Sequence, residues 1–349
     1  MAAPISEGGA GGKRGLGRPL SQSPAWAYLS VVLRLARLPA LVLPVFLTAC
    51  ISIGQDRIFL PPDRSGLERP PLSIRDGENW READGALWHV VEAFGDQSIA
   101  FSGVGLAEID PGKASGHMIA PATRDRPLIL YCGGTAFDRV GFGKTVIGAL
   151  LPMGDPVIWD YPGYGDSPGV PDIAALRALA PDMAAWIDDR AADRNLVLWG
   201  YSLGGAVCAE IATHSDAVDL LVLEASIDKG DRAVRALVRE RTGLPLPVRI
   251  DPAIGAIDVG AMLADFSAPM LLLVSGDDKV VPARQQLDLA AALGAGPMAV
   301  DVPPRAFQLF EGAGHYDLLG SAAVAMIVGW VYDTLGWEIL STAETPTPS

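Results

Sequence analysis

The stretch Leu196-Val197-Leu198-Trp199-Gly200-Tyr201-Ser202-Leu203-Gly204 joins an apolar run to a Gly-x-Ser-x-Gly pattern. The apolar run predicts a strand that is buried on both faces, and the residues after Ser202 predict a helix. A serine on a sharp strand-to-helix turn, with a glycine two residues before it and two after it, is typical of a nucleophile elbow. Ser202 is therefore the candidate nucleophile. The alternative is an ordinary glycine-rich start of a helix.

Short apolar runs alternate with longer helical patterns on both sides of this stretch. This order predicts an α/β fold, a doubly wound and mostly parallel sheet with helices on both faces and a small helical lid. An antiparallel pair at 87–94 and 98–109 is expected before the parallel part. The expected central strands are 127–131, 156–159, 196–199, 220–223, 270–274 and 306–310. The expected helices are 137–151, 173–190, 203–213, 283–293 and 322–335.

A serine hydroxyl is a poor nucleophile until a base removes its proton, so a histidine must reach it. His89 and His117 precede the serine, whereas the acid and the histidine follow it in proteins with this elbow. His214 lies further along the same predicted helix, about 18 Å from the serine at a rise of about 1.5 Å per residue. His315 remains as the candidate base. It lies in a glycine-rich loop after a predicted strand, where open α/β sheets bind ligands.

The carboxylate that orients the histidine is expected directly after the strand at 270–274. Two aspartates follow that strand, and Asp278 is the candidate acid. Its carboxylate would accept the Nδ1 proton of the imidazole and leave Nε2 facing the serine. Asp277 stays open as the alternative, and Glu224, after the preceding strand, is a more remote third candidate.

Two backbone N–H groups are candidates for the oxyanion hole. The amide of Leu203 lies at the start of the predicted helix, where it would point at an oxyanion on the attacked carbonyl. The second donor is expected in the loop after the first central strand, and Gly134 of the pair Gly133-Gly134 is the candidate. Its backbone can approach a ligand closely because it lacks a side chain. Thr135 is the alternative.

The segment Asp160-Tyr161-Pro162-Gly163-Tyr164-Gly165-Asp166-Ser167 resembles the aromatic, glycine-rich turn that follows the fourth strand of α/β-hydrolases. With the elbow, the acid loop and the histidine loop, it makes residues 80–340 similar to that superfamily, closest to its small-lid, membrane-anchored branch. The chain departs from the family at Cys132, which stands where a histidine usually precedes the oxyanion glycines. The acid loop is also one residue shorter before Asp278.

The resemblance implies a serine hydrolase that cleaves a carboxylic ester or thioester through an acyl-serine intermediate. It implies neither a metal nor an organic cofactor, and it implies a small-molecule ester or lipid-like substrate. An acyltransferase or a peptidase on the same fold is the alternative. A catalytically silent binding protein of the cell envelope is the alternative of another class, because a fold alone does not specify an activity.

The rest of the chain divides into four expected regions. Residues 1–49 are expected to be a signal or anchor segment, 50–79 a tether, 80–340 the hydrolase domain with its lid at 227–266, and 341–349 a disordered tail. The lid is placed at 227–266 because this segment between two strands is too long for a plain connection.

The amino-terminal segment has the features of a membrane-targeting sequence. Basic residues precede an apolar run that ends in Leu47-Thr48-Ala49-Cys50, which resembles a bacterial lipobox with Cys50 as the lipidated residue. An uncleaved anchor and a buried helix are the alternatives. Both membrane interpretations place the domain in the cell envelope, facing the periplasm or exterior, and the buried helix would leave it cytoplasmic.

The net charge bears on possible partners, and the cysteine spacing bears on zinc sites and disulfides. The net charge is −14, and such an acidic chain repels nucleic acid, so no nucleic-acid partner is expected. Cys50, Cys132 and Cys208 follow no spacing that suggests a zinc site or a disulfide framework.

Overall fold

The apolar runs of the sequence form one large sheet. The computed structural model describes residues 51–62, 73–76, 79–82, 104–105, 108–109, 114–119, 127–150, 153–165, 167, 169–192, 194–298, 304–319, 329–331 and 334–335. Each predicted central strand is present, with ends that differ by one or two residues from those expected. In chain order the strands are β1 (Ile51–Ile53), β2 (Ser73–Asp76), β3 (Asn79–Glu82), β4 (Val104–Gly105), β5 (Glu108–Ile109), β6 (Ala114–Ile119), β7 (Leu128–Cys132), β8 (Asp155–Asp160), β9 (Leu196–Tyr201), β10 (Val218–Glu224), β11 (Val248–Ile250), β12 (Met270–Ser275), β13 (Gly296–Pro297) and β14 (Arg305–Phe310).

The strand order places a crossover at the centre of the sheet. The order is β13-β14-β12-β10-β9-β7-β8-β6-β4, and β5 also pairs with β6. The neighbours from β13 to β8 are parallel, whereas β6 is antiparallel to β8. From β7 the chain adds β8 on one side and then β9 on the other. Open α/β sheets bind ligands beyond the carboxyl ends of the strands at such a switch point.

Both faces of the central strands are buried, as their near-continuous apolar sequence predicts. Alternate residues of β7 belong to different hydrophobic clusters: Leu128 and Leu130 lie in one, and Ile129 and Tyr131 lie in the other. This alternation follows from the twofold period of side chains along a strand. The sheet is therefore the middle layer of three.

The helices supply the outer layers. They are α1 (Arg139–Leu150), α2 (Ile173–Ala191), α3 (Leu203–Ala212), α4 (Gly230–Thr242), α5 (Pro252–Gly255), α6 (Val259–Met262) and α7 (Ala283–Ala292). Buried side chains of α2, α3 and α7 belong to one hydrophobic cluster, and those of α1 belong to the other. Asp172 caps α2 by accepting a hydrogen bond from the N–H of Ala175 at 2.6 Å. The helices thus cover both faces, as the doubly wound prediction requires.

The segment between β10 and β12 contains α4, β11, α5 and α6. It coincides with the predicted lid at 227–266. Strand β11 pairs in parallel with β1, so that Ile51 lies opposite Val248 and Ile53 opposite Ile250. Phe59, which follows β1, is buried in the hydrophobic cluster of α2 and α3. Residues 51–62, which we expected in the tether, therefore lie on the domain, because their apolar side chains find partners there.

Several predicted features lie outside the described residues. They are the segment 1–49, Cys50, most of the opening antiparallel pair, most of the helix at 322–335 and the tail at 341–349. None of the helices in the described ranges combines the length and apolar composition needed to cross a membrane.

Candidate active site

Ser202 lies on the sharp turn between β9 and α3. Its φ is 56° and its ψ is −119°, a left-handed conformation that side-chain-bearing residues rarely adopt. The neighbouring strand holds the turn, because the N–H of Ser202 donates to the carbonyl of Glu224 at 2.9 Å. Strain of this kind costs on the order of 1–3 kcal/mol and persists where the surrounding fold enforces it. The turn thus places a serine side chain at the carboxyl end of β9.

Two glycines allow this turn to close. A Cβ at Gly204 would lie 1.9 Å from the carbonyl oxygen of Cys132, and a Cβ at Gly200 would lie 2.6 Å from the carbonyl oxygen of Gly204. Both obstacles are backbone atoms, which cannot rotate away as a side chain can. The glycine two residues before the serine and the glycine two residues after it are therefore steric requirements of this elbow.

The structure brings His315 to Ser202. His315 Nε2 lies 3.0 Å from Ser202 Oγ. Both side chains are largely buried, since each residue is 6% exposed. The backbone of His315 is held as well, because the hydroxyl of Tyr201 donates to its carbonyl at 2.9 Å. A hydroxyl and an imidazole in this relationship can exchange a proton.

Asp278 is the carboxylate that meets the histidine. His315 Nδ1 lies 2.6 Å from Asp278 Oδ2. The other oxygen, Oδ1, accepts from the backbone N–H groups of Val280 and Val281 at 2.7 and 2.8 Å. With its carboxylate oriented in this way, Asp278 fixes the tautomer in which His315 donates through Nδ1 and accepts through Nε2.

The two other candidate acids lie elsewhere. Asp277 is exposed, and its N–H donates to the carbonyl of Ala313 at 2.9 Å. Glu224 is buried, and its Oε2 accepts from the indole N–H of Trp199 at 2.7 Å. Burial raises the pKa of the Glu224 carboxyl to about 7, against the opposing effect of hydrogen bonds from Trp199 and the Leu319 backbone. Asp278 is thus the candidate acid that meets the imidazole.

Two of the other histidines lie at positions that the structure describes. His117 lies in β6, which pairs with β8, and His214 lies exposed beyond the end of α3. His89 lies outside the described residues.

The candidate oxyanion donors lie beside the serine. Leu203 is the first residue of α3, so its N–H belongs to the positive end of that helix. A Cβ at Gly134 would lie 3.4 Å from the Cβ of Ser202 and 3.1 Å from the ring of Tyr201, so the backbone of Gly134 is close to the serine. The carbonyl of Thr135 accepts from the N–H of Leu60 at 3.2 Å.

The aromatic turn after β8 supports the loop that contains Gly134. The hydroxyl of Tyr161 donates to the carbonyl of Gly133, and the hydroxyl of Tyr164 donates to the carbonyl of Thr135, each at 2.6 Å. Burial raises the pKa of both phenols, so they remain neutral donors. The resemblance to the family implies that this turn shapes the floor of the pocket, and the two hydrogen bonds indicate that it holds the loop of Gly133, Gly134 and Thr135.

A disulfide joins Cys132 to Cys208, with Cα atoms 5.9 Å apart. Cysteine spacing suggested no disulfide, and that expectation is wrong, because the pair joins the end of β7 to the middle of α3 across 76 residues. The bond links the loop that follows β7, with Gly133 and Gly134, to the helix that begins after Ser202. Spacing along the chain cannot reveal such a pairing.

Two tyrosine rings contact the imidazole of His315. Tyr316 is 73% exposed, and its ring packs edge-on against His315 with centroids 5.0 Å apart. The ring of Tyr201 lies on the imidazole at a centroid distance of 5.1 Å. Neither tyrosine is among the predicted site residues, although each is the direct sequence neighbour of one, and that adjacency is the signal that could identify it.

Comparisons with known proteins give relatives and a similar fold. No protein-family profile matches the chain. The sequence is 30% identical over 283 residues to lysophosphatidylserine lipase ABHD12 of Danio rerio, covering 72% of this chain and 70% of that protein. It is 28% identical over 194 residues to an uncharacterized protein of Mycobacterium tuberculosis, covering 55% of this chain and 63% of that one.

Among solved structures, the Pyrococcus furiosus esterase Pf2001 is similar with a TM-score of 0.53 and 15% sequence identity. The match covers 77% of this chain and 98% of that one. At this identity the likeness concerns the fold.

Proposed function

The chain belongs to the α/β-hydrolase superfamily of serine hydrolases, and from this premise we propose that it hydrolyses a carboxylic ester or thioester through an acyl-Ser202 intermediate. One observation carries the proposal. Ser202 Oγ, both nitrogens of His315 and Asp278 Oδ2 form one continuous hydrogen-bonded line, with distances of 3.0 and 2.6 Å. A line of this kind activates a serine hydroxyl.

The proposed reaction has two halves. In the first, Ser202 Oγ attacks the carbonyl carbon while His315 Nε2 takes the hydroxyl proton, and the tetrahedral intermediate collapses as His315 gives that proton to the leaving alcohol or thiol. In the second, His315 takes a proton from water, hydroxide attacks the acyl-serine, and the proton returns to Ser202. Asp278 stabilises the imidazolium in both halves.

The proposed oxyanion hole consists of the N–H groups of Leu203 and Gly134. The negative charge that develops on the carbonyl oxygen would lie at the start of α3, where the helix dipole favours it. Removing one such donor costs about 10²–10³ in rate in comparable sites. The disulfide and the two tyrosine hydrogen bonds support this assignment, because they hold the two donor segments together before substrate arrives.

We infer a lipid-like or other small ester as the substrate class. The relative in Danio rerio is named a lysophosphatidylserine lipase, and the structural neighbour from Pyrococcus furiosus is named an esterase. Both names denote hydrolysis of ester bonds. The exposed aromatic ring of Tyr316, which packs against His315, supports this inference because it offers an apolar surface beside the candidate base.

An activity-based probe tests the proposal. A fluorophosphonate should label the wild-type protein covalently, and Ser202→Ala should abolish both labelling and hydrolysis of p-nitrophenyl butyrate. Ser215→Ala is the matched control, because this hydroxyl donates to Asp188 away from the site and its loss should leave labelling intact. Labelling that persists in Ser202→Ala would contradict the assignment.

We propose further that Cys50 or the apolar run before it anchors the domain to the membrane, on its non-cytoplasmic side. The basic-before-apolar order of the amino-terminal segment supports this orientation. The Cys132–Cys208 disulfide supports it as well, because disulfides persist mainly in oxidising compartments. Intact-mass measurement of wild type and Cys50→Ala separates a lipidated Cys50 from an uncleaved anchor. Full-length, unmodified protein in the soluble fraction would contradict both.

An anchor at this place would hold the lid segment near the lipid surface. The N–H of Ile51 donates to the carbonyl of Pro247 at 3.2 Å, so the chain enters the domain beside the connection from α4 to β11. That region exposes Arg239, Arg241 and Leu244 in a chain of net charge −14. Basic residues beside an anchor contribute about 1 kcal/mol each on an anionic leaflet.

Charge reversal tests this orientation. Arg239→Glu combined with Arg241→Glu should lower hydrolysis of lipid esters in anionic vesicles about 30-fold, because two basic residues at about 1 kcal/mol each contribute about 2 kcal/mol. Turnover of soluble p-nitrophenyl butyrate should not change. Equal activity of both proteins on anionic vesicles would contradict the orientation.

A further inference from the structure

The carboxylate of Asp278 has four hydrogen-bond donors. Two of them, the N–H groups of Val280 and Val281, belong to the same loop as Asp278 and move with it. The third is His315. The fourth is the side-chain amide of Gln286 in α7, whose Nε2 lies 3.0 Å from Asp278 Oδ2. Apart from His315, Gln286 is thus the side chain among the described residues that donates to this carboxylate. It joins the acid loop to helix α7.

The amide of Gln286 is itself held in one orientation. Its Oε1 accepts from the N–H of Ser275 at 2.9 Å, and its Nε2 also donates to the carbonyl of Val281 at 2.6 Å. The residue is 2% exposed, so water does not replace these partners. A flipped amide would place Oε1 against the carbonyl of Val281 and the carboxylate of Asp278, which are acceptors, so the network determines which atom is nitrogen.

A neutral amide suits this position for an electrostatic reason. A lysine or arginine would satisfy Asp278 Oδ2 but would cancel the negative charge that stabilises the imidazolium of His315. A glutamate would place a second carboxylate against the first, and a leucine would leave the N–H of Ser275 buried and unpaired. Glutamine donates one hydrogen bond to the acid, accepts one from the strand and leaves the charge unchanged.

We propose that Gln286 is a positioning residue of the hydrolytic site, which holds the Asp278 carboxylate in the orientation that receives His315 Nδ1–H. The proposal rests on the proposed serine-hydrolase function. The hydrogen bonds of the Gln286 amide go to Ser275, Asp278 and Val281, so Gln286 acts on the reaction through the acid. Its loss should therefore lower kcat while KM changes little.

The experiment compares Gln286→Leu, Gln286→Glu and Gln285→Leu in the full chain, with p-nitrophenyl butyrate between pH 6 and 8.5. Gln286→Leu should lower kcat about 10- to 100-fold, the range expected for a hydrogen bond to a charged group. Gln286→Glu keeps the side-chain size and the acceptor for Ser275. A protonated carboxyl at this position can donate as the amide does, whereas an ionised one repels Asp278. The kcat ratio of Gln286→Glu to wild type should consequently fall about tenfold as the pH rises.

Gln285→Leu is the matched control. Gln285 precedes Gln286 in the same helix, and its Nε2 donates to the carbonyl of Arg232 instead of to the acid. This variant should have the kcat of wild type, and the ratio of the two kcat values should not vary with pH. A purely structural role of Gln286 would give a loss without pH dependence in the glutamate variant.

The outcomes separate this proposal from the function on which it rests. An inactive, unlabelled wild-type protein would remove the serine-hydrolase function itself. If wild type is active, two results would overturn only the positioning role. One is an unchanged kcat in Gln286→Leu, and the other is a kcat ratio of Gln286→Glu to wild type that does not vary with pH. Failure of both Gln286 variants to fold, while Gln285→Leu folds, would also overturn it, since the amide would then be an element of the fold.

Discussion

The hydroxyl of Tyr201 lies 2.9 Å from the carbonyl oxygen of His315, so the residue directly before the candidate nucleophile holds the loop that carries the candidate base. The two residues are separated by 114 positions in the sequence. Burial raises the pKa of the Tyr201 phenol, with Tyr131 and Glu224 adding to the effect, so the hydroxyl stays protonated and donates. The elbow and the histidine loop are therefore joined independently of the triad.

Tyr201→Phe should lower kcat about 5- to 10-fold with little change in KM. The substitution keeps the ring against the imidazole and removes one hydrogen bond, worth about 1 kcal/mol. Steady-state kinetics with p-nitrophenyl butyrate provide the measurement. Wild-type kcat in this variant would show that the hydrogen bond does not position His315.

Gly204→Ala should destabilise the protein by about 3 kcal/mol and strongly reduce fluorophosphonate labelling. The added Cβ meets the carbonyl of Cys132 at 1.9 Å, and relief of that clash shifts the start of α3. Gly255→Ala is the control, because no atom beyond its chain neighbours and its own helix backbone lies within 4 Å of its Cβ position. Urea denaturation compares the two variants. An equally stable and equally labelled Gly204→Ala would contradict the steric account of the elbow.

Glu224 should make the stability of the fold depend on pH. The pKa of its carboxyl is raised from 4.5 to about 7, so between these values the folded state binds a proton that the unfolded state has lost. This contribution is complete below about pH 4.5 and is lost as the pH rises through about 7. It amounts to about 3 kcal/mol.

The measurement is the free energy of unfolding at pH 5 and pH 8 for wild type and Glu224→Gln. The glutamine variant should lose less stability between the two pH values than wild type does. Glu240→Gln, at an exposed position of α4, should behave as wild type. Parallel pH dependence in all three proteins would show that Glu224 titrates at its ordinary value.

The Cys132–Cys208 disulfide should contribute about 4.5 kcal/mol to stability, the chain-entropy value for a closed loop of this length. A Cys50→Ala background leaves these two cysteines, so thiol titration of the denatured protein should find no thiols before reduction and two after it. The reduced protein should unfold at a lower urea concentration. Two reactive thiols in the denatured, unreduced protein would contradict the pairing.

The sequence predicts the parallel strands at the centre of the sheet well. Each of them is buried on both faces, so it appears in the sequence as a short continuous apolar run. Strand β6 was missed, since Ser115, Gly116 and His117 interrupt any apolar run. The pairing of β1 with β11 was missed for a different reason. Each strand has three residues, and their partners lie about two hundred positions apart, beyond the reach of periodicity.

Some residues of the candidate site can likewise be predicted from the sequence, and others cannot. Ser202, Asp278 and His315 follow predicted strands in a recognisable order, and the structure brings these three together. Gln286 carries no comparable signal. It is one of two adjacent glutamines in an ordinary helix, and only the three-dimensional network distinguishes it from Gln285.

The parallel pairing of Ile51–Ile53 with Val248–Ile250 has a mechanical consequence. Strand β1, at which the chain enters the domain, pairs with β11 of the segment between β10 and β12. A displacement of one strand would therefore move the other. Moving the segment between β10 and β12 away from the domain would require breaking this two-stranded pairing or moving residues 51–53 with it. The position of residues 51–53 and that of the segment between β10 and β12 are therefore coupled.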